Sequence, residues 1–94
     1  MIKADTVFKA LADANRRRIL KILQKGSRTA GEIAAEFDLT DGSMSHHFNV
    51  LKGAELIRCE RRAQQMVYSL NTTVVQDVSA MLVDFFRPPR RRKR

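Results

Sequence analysis

The sequence predicts a mainly α-helical domain carrying one small β-hairpin. Three observations point there. Five stretches repeat apolar residues at helical spacing, and two short runs in the second half alternate apolar with polar residues. The 94 residues, 44% of them hydrophobic, suffice for one small core but not for a catalytic domain beside a binding domain.

The elements follow in chain order. Residues 4–12 set Val7, Phe8 and Leu11 on one stripe of a first helix. Asp13 is placed to cap a second helix over 14–25, where Ile19, Leu20, Ile22 and Leu23 share an arc, Arg17, Lys21 and Gln24 lie opposite, and Gly26 supplies the stop. Arg16 falls near the apolar arc, so a structural role is expected for it, paired with an acid of the first helix. Thr29 followed by Glu32 is a capping box that opens a third helix through Phe37, burying Ile33, Ala34 and Phe37. After a break at Asp38 and Leu39, Thr40 caps a fourth helix over 41–54, with Asp41 favourably placed in its first turn. Stepping round that helix puts Met44, His47, Phe48 and Leu51 on one side and Gly42, His46, Asn49 and Gly53 on the other. Outward His46 and core-boundary His47 are therefore expected.

Residues 56–61 and 65–70 alternate and are rich in β-branched and aromatic types, with the polar Arg62, Ala63 and Gln64 between them, which is a hairpin pattern. Asn71 then caps a last helix of 72–86. There Val74, Val75, Val78, Met81, Leu82, Phe85 and Phe86 span about 140°, wider than one small core can bury. Two short helices, a brief break, a second helix with a small-polar outer face and a following basic hairpin form the pattern of a winged helix-turn-helix.

Charge narrows the partner. The chain carries 18 Lys and Arg against 10 Asp and Glu, a net of +8, which favours a polyanion. Six of those cations, and no acid, lie in residues 87–94; residues 1–86 hold 12 basic against 10 acidic groups, a net of only +2. The expected organisation is a domain over 1–86 with a disordered basic tail over 87–94. No window approaches the roughly 18 consecutive apolar residues of a spanning helix, and the opening Met-Ile-Lys-Ala-Asp is too polar for a secretory signal, so a cytoplasmic protein without membrane insertion is expected.

A helix entering the major groove needs small residues for close approach and short polar groups to read base edges. Asp41, Gly42, Ser43, Ser45, His46, Asn49 and Lys52 are the candidates on the fourth helix, and Arg61, Arg62, Gln64 and Gln65 those on the hairpin. Asp41 repels phosphate, so it serves as a helix-terminal charge or accepts from a cytosine amine. Arg17, Arg18 and Lys21 are placed to flank the DNA backbone. Adjacent His46 and His47 diverge by about 100° and make a poor chelate. Cys59 is a lone thiol, expected to be inert, which excludes an internal disulfide and a cysteine-rich zinc site. No G-x-S-x-G, P-loop or H-E-x-x-H motif occurs, so neither an enzyme nor a small-molecule substrate nor a cofactor is expected.

From Phe8 to Leu70 the chain resembles the ArsR/SmtB family of dimeric winged-helix repressors. The resemblance is carried by Phe8 to Asp13, Arg16 to Leu20, Gly31 to Ala34, the run Met44 to Lys52 with its Ser45-His46-His47, Ala54 to Ile57, and Tyr68 to Leu70. Asn71 to Asp77 is similar to the small autorepressor branch of that family. The resemblance implies base reading at Asp41, Gly42, Ser45 and His46, wing contacts at Arg61, Arg62 and Gln64, and a homodimer formed through the first and last helices. Val7, Phe8, Leu11, Val74, Val78, Met81, Leu82 and Phe85 are the expected interface.

It also implies departures. Where family metal sensors carry a Cys-x-Cys pair, this chain has Thr29 and Gly31; on the last helix only Asp77 and Asp84 could ligate, and redox members use two cysteines. Ala63 and Glu55 stand where glycines are usual, at the wing tip and at the end of the recognition helix. The functional expectation is a homodimeric double-stranded-DNA-binding repressor of a palindromic operator, without metal sensing, released by a protein partner for want of a ligand site. The alternative is a winged-helix module that binds protein and uses its charge for solubility.

Overall fold

The computed structural model describes residues 3–89. Eight elements follow one another: α1 (Ala4–Leu11), α2 (Ala14–Leu23), β1 (Arg28–Thr29), α3 (Ala30–Ala34), α4 (Asp41–Gly53), β2 (Ile57–Arg62), β3 (Gln65–Leu70) and α5 (Thr72–Phe86). Five helices and a hairpin match the expected class. The tail expected over 87–94 falls mostly outside the described residues; Arg87 to Pro89 are exposed and non-helical.

Local chemistry fixes the helix ends. The Asp13 carboxylate accepts from the backbone N–H of Asn15 and Arg16 at 2.8 and 3.2 Å. Thr29 and Glu32 form the reciprocal capping box, at 2.8 and 3.1 Å. Thr40 Oγ1 accepts from the Ser43 N–H at 3.1 Å, and the Asn71 side chain accepts from Val74. At the far end of α4 the N–H of Glu55 donates to Lys52 O and that of Leu56 to Leu51 O, the paired bonds of a Schellman motif closed by buried Leu51 and Leu56. This motif needs a left-handed residue, and Glu55 supplies it at φ 59°.

Three expectations need correction. The third helix stops at Ala34 rather than Phe37, because Glu36 and Phe37 donate three residues back, to Ile33 O and Ala34 O, and the chain tightens out of α geometry. The second helix likewise ends at Leu23, two residues early. The hairpin is part of a three-stranded antiparallel sheet in the order β1-β3-β2, with Arg28 opposite Tyr68 and Thr29 opposite Val67. Two residues are too few to show alternation, which is why β1 leaves no periodic signal.

One core joins the helices to the base of the sheet. Val7, Ala10, Ile19, Leu23, Ile33, Met44, Phe48, Leu51, Leu56 and Tyr68 are all buried in it. Phe48 of α4 stacks on Tyr68 of β3 with ring centroids 4.4 Å apart, so α4 is set directly on the sheet that carries the hairpin.

Candidate nucleic-acid interface

The fourth helix has two chemically distinct faces. Met44, His47, Phe48 and Leu51 are buried, while Asp41, Gly42, Ser45, His46 and Asn49 are exposed. The outward set is small and polar, and no cation stands on it. Ser43 differs from the expectation: it is half-buried, and its hydroxyl accepts from Thr40 Oγ1 at 3.1 Å, so it belongs to the helix cap. Lys52 differs too. It is half-buried in a cleft of about 550 Å³ at the wing base, with Glu55, Ile57, Arg58, Cys59, Met66 and Asn71, rather than on the outer face.

The wing is fully outward. Arg61, Arg62, Gln64 and Gln65 are all exposed, and Arg62 pairs with Glu60 of the same strand at 2.8 Å. That pair sits in water and contributes little to stability. Arg62 registers against Gln65, leaving a two-residue turn in which Ala63 takes φ 55°. Glu55 and Ala63, which replace the family's usual glycines, are the two described non-glycine residues with positive φ.

Arg17, Arg18 and Lys21 of helix α2 are exposed. Arg17 donates to Leu11 O at 2.8 Å, and Arg18 lies 4.6 Å from the centroid of the Phe37 ring, a cation–π contact. Arg16 is structural, as its arc position implied, but its partners are not an acid: it donates to Ala10 O and Lys9 O at 2.8 and 2.9 Å and lies 3.2 Å from His47 Nδ1. Sequence periodicity could not show this, since the carbonyls of a helix end carry no side-chain signature.

Burial of α1 and α5 is uneven. Phe8 and Phe85 sit with ring centroids 6.0 Å apart, Phe85 being 57% exposed, and Leu11, Val74, Met81 and Leu82 are half-buried. Val7 and Val78 are corrections to the expected interface: at 1% and 6% exposed they pack inside the chain's own core and support this face from beneath. Val83 and Phe86 extend it outward at 55% and 84% exposure.

Three groups titrate away from their ordinary values. Partial desolvation pushes the Asp13 carboxyl up, but the Arg16 and Asn15 N–H groups together with the charges of His47 and Arg16 outweigh it and hold it low. The Thr29 backbone and hydroxyl bonds hold Glu32 low against its desolvation, with Arg28 assisting. Burial, then the neighbouring Cys59, pushes Tyr68 up to about 12. Cys59 stands opposite Tyr68 in the β2–β3 register and is half-buried. Among the described residues no three His, Cys, Asp or Glu side chains converge as a metal-binding group, and no helix is long and apolar enough to cross a membrane.

A short helix capped by Thr29, a six-residue connection, a second helix with an exposed small-polar face and an arginine-bearing wing define a winged helix-turn-helix DNA-binding domain. Comparison with known proteins agrees. The profile of a helix-turn-helix domain family matches residues 11–60. The chain is 48% identical over 81 residues to the transcriptional repressor SdpR of Bacillus subtilis, covering 86% of this chain and 90% of that one. It is 39% identical over 70 residues to the HTH-type transcriptional regulator Rv2034 of Mycobacterium tuberculosis, covering 73% and 64%. A crystal structure of an ArsR family transcriptional regulator, RHA00566, superposes with a TM-score of 0.79 at 27% identity, covering 89% and 91%. The chain belongs to the ArsR/SmtB family of winged helix-turn-helix transcriptional regulators.

Proposed function

We propose that this protein represses transcription, its own included, as a homodimer bound to a palindromic operator, and does so without a metal or redox signal. The observation that carries the reading is the exposed face of α4, where Gly42, Ser45, His46 and Asn49 stand clear of the core beside the arginine-bearing wing. Helix α4 reads base edges in the major groove, and Arg61 and Arg62 engage phosphates or the adjacent minor groove. The apolar surface of Phe8, Leu11, Met81, Leu82, Phe85 and Phe86 forms the two-fold interface. Half-site centres then lie about one helical turn, roughly 10–10.5 bp, or a multiple of it apart.

Thr29 supports the metal-free reading, because its side chain is engaged in capping α3 where family sensors carry a thiolate. Release from DNA falls to a protein partner that sequesters the dimer, and the protein acts in the cytoplasm where its duplex lies. Residues 1–86 form the specific domain, and the basic residues of 87–94 add sequence-independent affinity.

Selection of the full chain against a genomic DNA library tests this. One enriched palindromic site, with affinity falling steeply between roughly 50 and 200 mM salt, supports the reading. An unenriched pool, or salt-independent binding, overturns it in favour of a protein-interaction module.

A further inference from the structure

Arg16 spans three elements with one guanidinium. Its Nε and one terminal nitrogen donate to Ala10 O and Lys9 O, carbonyls in the last turn of α1, the second of which also accepts from the Ala12 N–H. Its other terminal nitrogen meets His47 Nδ1 on α4 at 3.2 Å. His47 is only 8% exposed and is the single polar side chain buried among the described residues, one position from outward His46. A guanidinium offers donors and no acceptor, so Nδ1 accepts in this bond, which requires the ring proton to lie on Nε2.

We infer that Arg16 is a positioning residue for DNA reading: acting through His47, it fixes the angle at which α4 presents Ser45 and His46 relative to α1. The inference rests on the reading of α4 as the base-reading helix. It makes α1, which carries part of the apolar dimer face, mechanically continuous with the recognition helix, with Arg16 as the joint. Helices α1 and α4 pack directly on each other, but among the described residues no main-chain hydrogen bond joins them.

The joint has a proton-sensitive half. A second proton on His47 removes the Nδ1 acceptor and sets two cations 3.2 Å apart. The charged and titratable groups beside His47 are the Arg16 guanidinium and the Asp13 carboxylate from the start of α2 and the His46 ring on its own helix, centroids 5.7 Å apart. Asp13 takes its two backbone N–H bonds on Oδ1, and among the described residues it makes no hydrogen bond with the Arg16 guanidinium.

The test uses the full chain, the operator found by library selection and a scrambled duplex. His47→Asn keeps an acceptor near the Nδ1 position and does not titrate, His47→Leu removes the acceptor at similar volume, and Arg16→Lys cannot reach three partners at once. His47→Leu and Arg16→Lys are expected to lower the operator-to-scrambled affinity ratio by about tenfold, while His47→Asn restores it. Acidification from about pH 8 to 5.5 is expected to lower the ratio further in the parent protein than in His47→Asn, which keeps His46.

Ring-nitrogen NMR of the parent protein gives a readout free of DNA and of variant folding: Nδ1 of His47 should be an unprotonated acceptor near neutral pH. A proton found on Nδ1 overturns the inference, as do unchanged ratios in folded His47→Leu and Arg16→Lys. Coincident pH profiles for the parent and His47→Asn do so as well. If the parent protein selects no site, the base-reading assignment falls and takes this inference with it; if it selects one and the variants match it, only the inference falls.

Discussion

The recognition helix and the wing stand side by side on one sheet, yet they are built in opposite ways. Helix α4 is fastened at its start by Thr40, at its end by the Schellman motif at Glu55, and along its length by Met44, His47, Phe48 and Leu51. It shows the solvent a nearly uncharged face. Residues 60–66 of the wing are all exposed, carry two arginines and end in a strained alanine turn. Base-edge hydrogen bonds demand fixed geometry, whereas a phosphate accepts a cation from many directions. On the proposed function, the difference in build separates a firmly anchored, cation-poor reader of sequence from an exposed, cation-rich source of affinity.

The largest expected effect tests how far the two regions depend on one anchor. Phe48→Ala removes the ring stacked on Tyr68 and leaves a cavity between α4 and β3, at a cost of about 3–5 kcal/mol against a typical domain stability of about 5–15 kcal/mol. Denaturant unfolding should show that drop; a drop below about 1 kcal/mol would mean that α4 is not held to the sheet by this stack.

Next in size is the division of labour itself. Ser45→Ala and His46→Ala should each lower affinity for the selected operator by about 1–3 kcal/mol and leave binding to scrambled duplex nearly unchanged. Arg61→Ala and Arg62→Ala should weaken both duplexes alike and reduce the salt slope by about 0.9 for each phosphate that is no longer neutralised. Equal weakening on both duplexes from the helix variants, or a change in preferred site from the wing variants, would break the comparison.

The helical half was more legible in the sequence than the links between its parts. Caps at Asp13, Thr29, Thr40 and Asn71 are short-range chemistry and could be read from residue types alone, and the 100° periodicity of α4 put His46 outside and His47 inside. The partners of Arg16 were not legible, because two are backbone carbonyls and the third lies 31 positions away. Ser43 and Lys52 show the limit of a helical wheel: angle alone does not say that a hydroxyl turns to its own cap or that a cleft takes up a lysine stem. Strand β1 needs its partner β3 to exist at all.

Glu55 and Ala63 place similar backbone strain in both regions, one at the end of each. A left-handed conformation costs a residue with a Cβ about 1–2 kcal/mol, most of which glycine avoids. Glu55→Gly and Ala63→Gly should each raise stability by about 1 kcal/mol in denaturant unfolding, offset in part by the greater freedom of glycine in the unfolded chain. A fall in stability at position 55 would mean that the Glu55 side chain contributes more to the cleft beside Lys52 and Arg58 than its backbone strain costs.

The smallest effect separates the two regions by pH. Asp13 and Glu32, both held below the ordinary carboxylate range, cap α2 and α3 in the helical half. A depressed carboxyl binds its proton more weakly folded than unfolded, so its stabilisation is complete above the unfolded value near 4 and is lost as pH falls through the folded value. Glu32 is exposed and Asp13 only half-buried, so water screens the effect and keeps it modest. Tyr68 runs the other way: pushed up to about 12, its contribution is complete below pH 10 and disappears as pH rises toward that value. Acid should therefore loosen the starts of α2 and α3 first, and alkali the stack that joins α4 to the wing. Amide exchange measured below about pH 4 should show early loss of protection at Asn15, Arg16 and Thr29, whose N–H groups the two carboxylates accept, while the paired β2–β3 amides hold. Early loss in the wing instead would place the acid-sensitive end of the molecule in the hairpin and not in the capped helices.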